Sequence, residues 1–72
     1  MLCKNYAFML CLESNEDPDA YIIRSVTRDS REAFYYLMRR GPYFPAIVFG
    51  LDLITMQKSL VTKTQLRDWN LE

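Results

Sequence analysis

Histidine is absent from this 72-residue chain; glycine and cysteine each occur twice and proline three times. Without histidine, the Ser-His and Cys-His forms of nucleophilic catalysis, the commonest general base and most zinc sites are excluded. Gly41 and Gly50 cannot form a phosphate-cradling loop. The carboxylates between Glu13 and Asp19 lack the ligand spacing of a calcium-binding hand. No catalytic residue, cofactor or metal is therefore expected, and the chain reads as a non-enzyme. Net charge is missing as well: nine basic and nine acidic residues cancel, so no overall field draws the chain to nucleic acid or to an anionic membrane. The apolar run from Ala46 to Leu51 is far shorter than the roughly 20 residues that span a bilayer.

The first residues, MLCKNYAFMLCLESNEDPD, place Lys4 before a short apolar run, as a secretory signal does. No small-x-small cleavage site follows, and no small residue precedes Cys11 for lipid attachment. Cys3 and Cys11 are eight residues apart; on one continuous strand their Cα atoms stand ~26 Å apart, against a limit of ~7 Å for a disulfide. Two free thiols packed as small hydrophobes fit a reducing compartment, and a cytoplasmic location is expected.

Half of the residues are apolar and 14% are aromatic, whereas a domain of this size hides only ~60% of the surface of its extended chain. Some of that apolar surface is therefore expected at an interface. A single domain over residues 1–72 is all the length allows. Charge is unevenly placed: Glu13, Glu16, Asp17 and Asp19 crowd one turn, and five arginines from Arg24 to Arg40 outnumber Asp29 and Glu32 by three.

Apolar periodicity predicts a central strand over residues 5–12 and an acidic turn at ESNEDPD. A second strand, YIIRSVTR, makes an antiparallel hairpin of uncertain register. A helix follows, capped by Asp29 with Glu32 three residues on and stopped at Arg39-Arg40-Gly41-Pro42, with Gly41 as a left-handed terminator. Its inward face is Ala33, Phe34, Leu37 and Met38. In the next strand, AIVFGLDLI, the set Ile47, Phe49, Leu51 and Leu53 is expected to face the helix. LVT suggests a short fourth strand, and TKTQLRDWNL a terminal turn of helix capped by Thr64, with Leu66 and Trp69 packing back. The fold class is α+β: an antiparallel sheet of three or four strands, hairpin first, with one helix on one face.

One segment, REAFYYLMRRGPYFP, gathers aromatic side chains among arginines. Arg31, Tyr35 and Arg39 form a strip at i, i+4 and i+8, and Glu32, Tyr36 and Arg40 a second, both pointing away from the Phe34 face. Tyr43 and Phe44, held between Pro42 and Pro45, continue it. Tyrosine and arginine anchor interfaces, so Arg31, Tyr35, Tyr36, Arg39, Arg40, Tyr43 and Phe44 are the candidate partner-binding residues. The plainer alternative is a rim of tyrosines covered by arginines through cation–π contact. Another protein is the expected partner; a single-stranded nucleic acid and a homodimer paired at a sheet edge are the other two classes. In layout alone, residues 5–54 resemble small phage-encoded proteins that switch off host machinery, such as inhibitors of bacterial RNA polymerase and some anti-CRISPR proteins. That resemblance implies steric blocking of a host nucleoprotein enzyme.

Overall fold

In a computed structural model, which describes residues 5–14 and 20–70, two strand-strand-helix units follow one another. The first is β1 (Tyr6–Glu13), β2 (Tyr21–Thr27) and α1 (Ser30–Met38); the second is β3 (Ala46–Asp52), β4 (Lys58–Val61) and α2 (Lys63–Asn70). This is the α+β class expected, with a four-stranded antiparallel sheet in the order β2-β1-β3-β4 and two helices instead of one. β1 and β3 pair at the centre, Met9 opposite Phe49, and each has its own hairpin partner outside it. The two units are thus related by an approximate twofold through that central pair. Cys3, Lys4 and residues 15–19 of the acidic turn lie outside the described residues.

Alternation along the strands divides the sheet into two faces. Phe8 and Leu10 of β1, Val48 of β3 and Val61 of β4 share the face covered by the helices and form one core cluster with Ala33, Leu37 and Leu66. Burying each of the larger side chains contributes about 1.5–3 kcal/mol. The parity expected for β3 is reversed: Ala46, Val48 and Gly50 lie under the helices, and Ile47, Phe49 and Leu51 point the other way. Leu53 falls beyond the strand in an exposed turn. Space explains the reversal, because only the short side chains of β3 leave room for Phe8, Leu10 and the Tyr6 ring beside them. Above Gly50 the Tyr6 ring occupies the place a side chain would need. Trp69 of α2 closes this corner at 5.0 Å from Tyr6 and 5.4 Å from Phe8, ring centre to ring centre.

Asp29 caps α1 as expected, its carboxylate accepting from the Arg31 N–H at 2.9 Å. Glu32 contributes through a hydroxyl: Thr27 donates to it at 2.8 Å and accepts from the Asp29 N–H at 3.0 Å. At the far end no left-handed residue appears. Arg39 ends the helix in right-handed geometry, and Arg40 donates to the Leu37 carbonyl at 3.0 Å. Gly41 exchanges two backbone hydrogen bonds with Phe44 instead, closing the Pro42-Tyr43 turn. Met38, expected inward, is exposed, because it sits with Phe34 at a seam whose other side is the polar face of α2 at Lys63, Thr64 and Arg67.

The cap of α2 is Thr62, not Thr64: the Thr62 hydroxyl accepts from the Gln65 N–H and the Gln65 side chain accepts from the Thr62 N–H, at 3.2 and 2.9 Å. The helices are tied together where α1 begins and α2 ends. Buried Ser30 donates to the Asn70 side chain at 2.7 Å, and the Asn70 amide donates to the Leu66 carbonyl at 2.9 Å. No described helix is long and apolar enough to cross a membrane.

Candidate binding groove

β2 is the outer strand next to α1, and a register break shapes it. Leu10 pairs with Ser25 but Cys11 with Ile23, so Arg24 is an extra residue in a bulge. The bulge turns Arg24 toward α1, where Arg31, Tyr35, Tyr36 and Arg39 come down from the helix. Together with Leu10, Ser25, Asp29 and Glu32 these side chains line an open groove of about 760 Å³. Its counterpart between β4 and α2 is about half as large, near 370 Å³, and its one charged lining residue is Asp68. The approximate twofold therefore does not extend to chemistry, and arginine is confined to the first groove.

Four of the seven residues singled out by sequence, Arg31, Tyr35, Tyr36 and Arg39, meet in this groove. Tyr35 is 66% exposed. Tyr36 is not on the solvent side as expected: its ring packs against the core and its hydroxyl donates to the Cys11 carbonyl at 2.7 Å, beside the bulge. Burial pushes its phenol above the ordinary value, opposed by the nearby charges of Arg24 and Arg39. Phe44 extends the wall, 5.5 Å from Tyr36 between ring centres, with the Arg39 guanidinium 4.8 Å above its face. The cation–π contact thus falls on Phe44. Arg40 leaves the strip altogether, donating to the Ala46 carbonyl at 2.6 Å and pairing with Glu13 at 3.1 Å. Tyr43 stands at the tip of its turn, 99% exposed.

Among the described residues Arg24, Arg31 and Arg39 have no ion pair. The groove's two acids accept hydrogen bonds, Asp29 in capping and Glu32 from Thr27, and the three arginines outnumber them by one. Three guanidiniums beside exposed tyrosine favour an anionic or carbonyl-rich ligand. Arg24 escaped sequence reasoning because YIIRSVT alternates imperfectly; the adjacent Ile22 and Ile23 were the only trace of the bulge.

Part of the apolar surplus expected at the surface lies on the sheet face opposite the helices. Ile23 and Val26 on β2 are 51% and 59% exposed, and Leu60 on β4 is exposed as well. At its middle, Tyr21 packs on Phe49 at 4.7 Å, and the Lys58 ammonium lies 4.4 and 4.8 Å above the two rings and contacts the Tyr21 hydroxyl. Cys11 is fully buried on this face and its thiol is pushed up by burial, with Lys58 opposing. Among the described residues, no three of histidine, cysteine, aspartate and glutamate gather as metal ligands would. No protein-family model, curated protein or solved structure matches the chain.

Proposed function

We propose that this chain is a protein-binding module that acts without chemistry of its own, docking a partner in the groove between β2 and α1. One observation carries the reading: Arg24, Arg31 and Arg39 line one groove beside exposed Tyr35 with no ion pair among the described residues. Exposed guanidiniums that hold no ion pair are available to a partner, and tyrosine supplies contact area at low entropic cost. Steric blocking of a host nucleoprotein enzyme, implied by the likeness in layout to phage-encoded inhibitors, is the activity that such docking would produce.

Capture of partners from a host lysate tests the groove. Wild type should retain a partner that Tyr35→Ala with Arg39→Ala loses, while Tyr43→Ala, outside the groove, keeps it. Tyr36 is left intact because its removal would disturb the core. Equal capture by wild type and the double variant would count against this surface. Two other readings use the same neighbourhood. A single-stranded nucleic acid would stack on the tyrosines and bind with affinity that falls steeply with salt. A homodimer paired through β2 would show as doubled mass in light scattering.

A further inference from the structure

β2 is seven residues long, the middle five are exposed, and among the described residues no strand neighbours its outer side. Alternate residues of an edge strand turn their N–H and C=O groups outward, a ready template for an added strand. The other edge, β4, has only four residues. β2 also separates two chemically unlike surfaces. On the helix side lie Arg24, Arg31, Tyr35 and Arg39, with exposed Ile22 toward the start of the strand; on the other side lie Ile23 and Val26.

Resting on the protein-binding reading, we infer that the occupant is an extended segment of a partner protein that adds to the edge of β2, with acidic side chains toward α1 and apolar side chains toward Ile23 and Val26. The spacing agrees. Residues four apart on a helix rise about 6 Å, and alternate side chains of a strand stand about 6.6 Å apart. Acids at i and i+4 of the segment therefore reach Arg31 and Arg39, and the side chain at i+2 crosses Tyr35. Residues i+1 and i+3 fall on the open face beside Ile23 and Val26. A second copy of this chain fits less well, because antiparallel self-pairing centred on β2 sets Arg24 against its own copy, and like charges directly opposite destabilise a pair.

Fluorescence anisotropy with a labelled nine-residue peptide of alternating glutamate and valine tests the inference on the whole chain. Binding should weaken about tenfold or more in Arg31→Glu with Arg39→Glu, and should vanish for the peptide with lysine in place of glutamate. Two N-methylated versions, each blocking one alternate set of amides, separate strand addition from simple charge attraction. One set should abolish binding and the other should leave it, since only one edge of the peptide faces β2. Equal effects of the two sets, or equal binding of the lysine peptide, would overturn the proposal. So would an oligothymidylate that binds in its place with the same arginine dependence, or dimerisation that excludes the peptide. Circular dichroism of the double variant verifies that it folds; if it does not, the N-methyl pair on wild type still decides. Should the peptide fail while Tyr35-dependent capture of a partner persists, strand addition alone falls; loss of both removes the protein-binding reading too.

Discussion

Gly50→Ala is the perturbation that the packing makes most consequential. Gly50 does not have positive φ, so its backbone accepts alanine without strain. The obstacle is space: an added Cβ would lie 2.6 Å from Cε1 and 2.7 Å from Cζ of Tyr6, and closer still to its hydroxyl. The Tyr6 ring cannot swing aside freely, because it packs against Phe8 at 5.4 Å and Trp69 at 5.0 Å. Overpacking of this kind costs about 1–3 kcal/mol, offset by about 0.4–1 kcal/mol from the stiffer unfolded chain. A net loss of about 1–2 kcal/mol lowers Tm by roughly 5–15 °C in a domain of this size. Urea unfolding followed by Trp69 fluorescence measures it, and the native emission should shift as well, since the displaced ring touches the indole. In a Tyr6→Leu background the same alanine should cost little, giving a coupling of about 1 kcal/mol or more between the two sites. Unchanged stability of Gly50→Ala, or an equal cost in both backgrounds, would refute the argument that the Tyr6 ring fills the glycine's space.

Tyr36→Phe removes the donor to the Cys11 carbonyl and should lower stability by about 1 kcal/mol in urea titrations. Asn70→Ala deletes the side chain that accepts from Ser30 and donates to Leu66, and should cost about 1–2 kcal/mol, visible as a lower urea midpoint. Glu13→Gln, by contrast, breaks an exposed pair with Arg40 and should change stability by less than about 1 kcal/mol by the same assay. Cys11 and Tyr36 both hold their protons more tightly when folded, burial being the leading cause in each. Their contribution is complete below the ordinary thiol value of 9.0 and is lost as pH rises through the raised folded values. Stability should therefore fall as pH rises above about 9, and less steeply in Cys11→Ala; identical pH slopes would contradict the burial of this thiol.

Local chemistry decided what the sequence alone determined. The first hairpin, the α1 cap at Asp29 and the inward packing of Leu66 and Trp69 follow from turn residues, capping residues and periodicity within a few positions of one another. Helical spacing likewise sets Arg31, Tyr35 and Arg39 on one strip, whereas Tyr36, expected on the solvent side, packs against the core. Tertiary packing decided the rest. Both faces of AIVFGLD are apolar enough to be buried, and only competition for space with Tyr6, Phe8 and Leu10 turned Ile47, Phe49 and Leu51 away from the helices. Likewise, nothing within YIIRSVT specifies which residue is extra; pairing with β1 made it Arg24 and so completed the groove. Which partner each side chain meets across the sheet is a long-range quantity, and a single strand's own pattern does not encode it.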